Sequence, residues 1–78
     1  MLYSELLRRL KKHNIEQVGR LTLGNDSSVY LGRRAEIVVP FQAPIHIFYA
    51  PANEQDFYLD PEEIAALLRR FNINPDQL

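Results

Sequence analysis

The chain has 78 residues, 46% apolar and 24% charged, with no cysteine and a formal net charge of −1. That is the composition of one ordinary globular domain, which excludes a disordered chain, a disulfide framework and a thiolate metal site. No apolar run is long enough for a membrane span and no signal-peptide pattern opens the chain, so a cytoplasmic location without a membrane partner is expected.

Tyr3, Leu6, Leu7 and Leu10 recur at helical spacing, with Arg8, Arg9, Lys11 and Lys12 filling the other side. Glu5 stands four residues before Arg9, a favourable helix pair. The cations gather toward the C-terminal end, where the helix dipole favours them. Asn14 followed by Ile15 reads as a left-handed stop with an apolar residue packing back.

From there the period changes to two. Val18 to Leu23, Ser27 to Leu31, Ala35 to Pro40, Pro44 to Ala50 and Asp56 to Leu59 read as short strands. Gly24-Asn25-Asp26 and Gly32-Arg33 are turn signals at hairpin spacing. Pro40 and Pro44 bracket a bend, because proline cannot donate within a ladder. Residues 51–55 read as a loop.

The last element is the most fully specified. Asp60 is an N-cap, Pro61 fits the first helical position, and Glu63 completes an acidic capping box. Ile64, Leu67, Leu68 and Phe71 form its apolar face, and Asn72-Ile73 repeats the stop at Asn14-Ile15. Both helices contain Leu-Leu-Arg-Arg, at 6–9 and 67–70. Nothing between them recurs, so this is common helix chemistry and not an internal repeat. The predicted fold is α+β: helix, antiparallel meander of three to five strands, helix. It forms a two-layer sandwich with both helices on one sheet face.

Alternation assigns the two faces. Leu21, Leu23, Val29, Leu31, Ile37, Val39, Ile45, Ile47, Phe57 and Leu59 are expected to face the helices. Arg20, Thr22, Tyr30, Glu36, Val38, His46, Phe48 and Tyr58 fall on the other side. A water-facing sheet surface is normally polar, yet this one carries three aromatic residues and a valine. Tyr30, Val38, His46, Phe48 and Tyr58 are therefore the expected protein interface, binding a partner or a second copy as a homodimer. A charge at Phe48 should then break the contact and spare the fold.

Catalytic chemistry has little to stand on. His13 ends a cationic helix, where an imidazole suits the dipole. His46 sits between Ile45 and Ile47, where histidine is usually a packing residue. Asp60, Glu62 and Glu63 are explained by capping, and Ser27 and Ser28 by turn chemistry. There is no metal-binding histidine pair, phosphate loop or nucleophile elbow. A non-enzymatic protein without a metal or cofactor is the expectation.

Charge is uneven. Residues 1–39 hold seven basic and four acidic side chains, and residues 40–78 hold two and six. The N-terminal excess suits an anionic partner or simply solvates the surface. Arg8, Arg9, Lys11, Lys12, Arg33 and Arg34 are the candidate contacts for RNA, the alternative ligand. Against RNA stands the negative net charge, since nonspecific affinity depends on neutralising phosphates.

Four short stretches carry a family resemblance. They are Leu6-Leu7-Arg8-Arg9-Leu10, Gly24 through Tyr30, Val38-Val39-Pro40, and Ile64 through Ile73. In this order the chain resembles the HicA-like toxins of bacterial toxin–antitoxin pairs, which have a double-stranded-RNA-binding-like fold. Members usually carry a Gly-Ser-His segment whose histidine is the proposed RNase residue. The comparable stretch here is Gly24-Asn25-Asp26-Ser27-Ser28-Val29-Tyr30, without histidine. Phe41-Gln42 stands where another histidine often follows the proline, and Gln42 to Asp60 has no clear counterpart. The resemblance thus implies a catalytically silent, RNA-binding relative.

Overall fold

A computed structural model of the chain describes residues 1–33, 44–51 and 54–78. Helix α1 spans Tyr3–Leu10 and runs into a single 3₁₀ turn at Lys11–His13. Strands β1 (Ile15–Leu23), β2 (Asp26–Arg33) and β3 (Ile45–Pro51) follow, then helix α2 (Pro61–Arg70) and a second 3₁₀ turn at Pro75–Gln77. The strands form an antiparallel meander in the order β1-β2-β3. The expected strand at Ala35–Pro40 lies outside the described residues.

The ends of the elements follow local chemistry. Asn14 and Asn72 both take the left-handed conformation, at φ 62° and 55°. After α2 the Asn72 amide donates to the Arg69 carbonyl at 3.3 Å and the Ile73 amide to that of Leu68 at 2.9 Å. This is the two-bond Schellman stop, with buried Ile73 folded back beside buried Leu68. At the start of α2 the Asp60 amide donates to the Glu63 carboxylate at 3.2 Å, within a capping box. Gly24 turns the β1–β2 hairpin at φ 61°, as the first position of a type II′ turn requires.

Two details of the sheet depart from simple alternation. Gln17 pairs with Leu31 and Gly19 with Tyr30, so Val18 is an extra residue in a β-bulge. Ile15 and Gln17 face the helices before the bulge. Arg20 and Thr22 do so after it, and Leu21 and Leu23 turn outward. In β3, Phe48 is opposite Val29 and Ala50 is opposite Ser27. All four are buried, so His46, Phe48 and Ala50 form the helix-side row of β3, with Ile45, Ile47 and Tyr49 on the outer side. This reverses the expected β3 faces.

One apolar cluster fills the space between the sheet and both helices. Tyr3, Leu6 and Leu10 come from α1, and Leu67, Leu68 and Phe71 from α2 and its end. Ile15, Val29, Leu31, Phe48 and Ala50 come from the sheet. Tyr3 stacks on Phe57 at 4.6 Å and meets Phe48 edge-on at 6.4 Å. The Tyr3 hydroxyl donates to Gln17 at 2.6 Å. Burial pushes its pKa up to about 12, against a smaller opposing pull from Arg20.

The expected strand Asp56–Leu59 does not join the sheet. It runs beside the N-terminal segment, where Tyr3 donates to the Phe57 carbonyl and Leu59 to that of Met1, both at 2.8 Å. Leu2 and Tyr58 form an isolated bridge there. This pairing puts Asp56 at the head of α1, whose own N-cap residue, Leu2, has no capping side chain. Asp56 accepts the Ser4 amide at 2.9 Å and the Ser4 hydroxyl at 2.7 Å, and its own neighbour Phe57 donates to it at 3.0 Å. A carboxylate 52 residues away thus caps the first helix.

The Ser4 hydroxyl first, and then its amide, hold the Asp56 carboxyl below the ordinary aspartate range. Because the folded pKa is depressed, the stabilisation is present above the unfolded value and is lost as pH falls through the folded one. Asp56→Asn should therefore melt below wild type at neutral pH. The two melting temperatures should begin to converge as pH falls below about 3.9, the unperturbed aspartate value, and meet only below the lower folded-state value. A constant gap across that range would remove the ionic cap.

Candidate functional site

The outer face of the sheet follows from the register. Four rows cross it: Gly19–Tyr30–Ile47, Leu21–Ser28–Tyr49, Leu23–Asp26–Pro51 and Glu16–Gly32–Ile45. The Tyr30 ring lies over Gly19, with its Cδ2 at 3.7 Å from where a β-carbon would stand. This explains why Tyr30 is only half-buried on an open face. Leu21 is 49% exposed, Leu23 67%, Ile47 47% and Tyr49 84%. The first two rows carry no charged side chain, and acids stand at the borders, Asp26 at the hairpin and Glu16 opposite Gly32. A sheet face left open to water usually alternates to polar residues; this one is apolar across its middle.

The expected interface set does not assemble there. Tyr30 faces outward, but His46 and Phe48 point to the helices, and Phe48 is only 4% exposed. Tyr58 is exposed beside Leu2, away from the sheet. Val38 lies outside the described residues. Sequence reasoning placed Leu21, Leu23, Ile45 and Ile47 toward the helices, and it left Tyr49 unassigned. The missing signals were the bulge at Val18 and the pairing of Phe48 with Val29.

The candidate RNA contacts are largely engaged within the chain. Arg8 and Arg9 both bond to Glu5, the latter at 3.1 Å. These bonds, Arg8 first, hold the Glu5 carboxyl below its ordinary range. Lys12 reaches the Leu78 carbonyl at 3.3 Å, and Lys11 is exposed. Arg33 donates to the His13 carbonyl at 3.4 Å and to the Phe71 carbonyl at 3.1 Å, with its guanidinium 5.2 Å from the Phe71 ring centre. It satisfies carbonyls at the ends of both helices, a structural task. Arg34 lies outside the described residues.

The histidines are separate. His13 Nε2 is 3.0 Å from the Gln77 carbonyl. The His46 ring packs edge-on to Phe48 at 4.7 Å. Burial first, and the Arg70 charge second, hold its imidazole below the ordinary histidine range. Among the described residues, no three His, Cys, Asp or Glu side chains gather as metal ligands. No helix among them is long and apolar enough to cross a membrane. Comparisons with models of protein families, with curated proteins and with solved structures found no match to this chain.

Proposed function

We propose that the chain is a small, non-enzymatic protein-interaction module, and that its outer sheet face pairs with a second copy of itself. The observation that carries this reading is the exposure of Leu21, Leu23, Ile47 and Tyr49 together on one sheet face whose middle rows carry no charge. The uncharged centre of such a surface meets its own copy without like-charge repulsion, and tyrosine is favoured in interface centres. Size argues for a weak dimer. Strands about 4.8 Å apart and about six residues long present on the order of 300 Å² in projection. A stable interface buries roughly 800 Å² per partner. Association through this face alone is therefore reversible and concentration-dependent.

Kinship with the HicA-like toxins would make RNA the ligand instead. Element order is all that supports it, while Arg8, Arg9 and Arg33 already have partners inside the chain.

Sedimentation velocity over a concentration series tests the proposal. Wild type should shift from monomer toward dimer as concentration rises. Tyr49→Glu should remain monomeric with an unchanged melting temperature at low concentration, because the side chain is outside the core. A wild type that stays monomeric throughout, or a Tyr49→Glu variant that dimerises equally well, would overturn it.

A further inference from the structure

The shared Leu-Leu-Arg-Arg stretch has different surroundings in the two helices. In α1 it is preceded by Glu5, whose carboxylate takes both Arg8 and Arg9. In α2 it is preceded by Ala66, with Ala65 before that. An acid pairing with Arg69 or Arg70 along the helix would have to stand three or four residues earlier. Those positions, 65, 66 and 67, hold two alanines and a buried leucine. Among the described residues, Arg69 and Arg70 have no ion pair.

Both cations are exposed, and both border one cleft. Ala66, Arg69 and Arg70 share a helix face and line an open cleft of about 480 Å³, with His46 of β3 lining it as well. The Nδ1 atom of His46 is buried and has no hydrogen-bond partner among the described residues. A buried polar atom left without a partner is costly, and native structures rarely keep one without a reason. Favourable placement of cations at the C-terminal end of a helix accounts for the arginines. It does not account for an alanine, Ala66, where α1 has its acid, or for the orphaned imidazole nitrogen beside them.

We infer that this cleft binds an oxyanion, a carboxylate or phosphate group from outside the chain, in the role that Glu5 fills for α1. Two guanidinium groups offer paired N–H donors whose fork geometry suits both oxyanions. The His46 imidazole lines the same cleft and can add a donor through the ring nitrogen that carries its proton, and Ala66 contributes only a methyl group to the lining. The site is independent of the outer sheet face, which lies on the opposite side of the sheet.

Inorganic phosphate and acetate, titrated separately at constant ionic strength, distinguish the two oxyanions. The readout is the NMR shift of the His46 ring and of the Arg69 and Arg70 Nε–H groups. Saturable shifts at these residues are expected with at least one of the anions, and the tighter of the two assigns the class. Ala66→Glu supplies an internal carboxylate at the position equivalent to Glu5. It should weaken anion binding roughly tenfold or more, the loss that goes with one charge-assisted hydrogen bond. It should also move the arginine resonances of the free protein toward their anion-bound positions. Arg70→Gln should weaken binding similarly and serves if Ala66→Glu does not fold. The inference is overturned if neither anion gives saturable shifts, or if the folded variants titrate like wild type. Equal affinity at Arg8 and Arg9 would also overturn it.

Discussion

Phe48→Glu is expected to unfold the protein at neutral pH. The side chain is buried between the sheet and the helices, opposite Val29 and edge-on to both Tyr3 and His46. Truncating a buried phenylalanine costs about 3–5 kcal/mol through lost burial and the cavity left behind. Glutamate adds the cost of a charge away from water. A chain of this length has a total margin of roughly 4–12 kcal/mol. Circular dichroism should show loss of the cooperative melt. Phe48→Ala should retain some structure with a strongly lowered midpoint in urea. A folded, wild-type-like Phe48→Glu would place this residue on the outer face and return β3 to the register its sequence first suggests.

Leu67→Ala is the second large effect. Leu67 is fully buried in α2 and belongs to the same cluster as Leu6, Leu10 and Leu31. Removing a buried leucine side chain costs about 2–5 kcal/mol, the higher values applying where neighbours cannot close the gap. Here the sheet and α1 confine the site, so collapse is limited and the upper part of that range is expected. For a domain of this size each kcal/mol lowers the melting temperature by about 4–8 °C. A melt within a degree or two of wild type would mean that α2 presents another face to the sheet.

Helix ends were readable because their chemistry is local. Asp60, Pro61 and Glu63 specify the start of α2 within four residues, and Asn14 and Asn72 supply the left-handed stops. The β2 faces were equally plain: Val29 and Leu31 are buried, and Tyr30 points outward. β3 was not readable. Ile45, Ile47, Phe48, Tyr49 and Ala50 are apolar or aromatic on both faces, so alternation has no phase to fix. Pairing with Val29 settles it, a contact no local window contains. In β1 the single extra residue at Val18 inverts everything after it, which moves Leu21 and Leu23 outward. The outer apolar surface therefore belongs to tertiary structure, although the expectation of an apolar sheet face arose from the sequence. The Glu5-to-Ala66 contrast was visible in the sequence, but it acquires meaning only when His46 is seen across the cleft from α2.

The capping of α1 by Asp56 also sets an order of events during synthesis on the ribosome. The eight residues of α1 leave the exit tunnel well before Asp56 is added, and a helix that short does not persist alone in water. Until residues 56–59 emerge, the head of the helix lacks its carboxylate and Met1–Tyr3 lack their backbone partners. Leu6 and Leu10 then have only part of the surface that will cover them. A nascent chain stalled before that point carries exposed leucines for chaperones to recognise, and the hairpin of β1 and β2 is the first element able to form from local contacts alone.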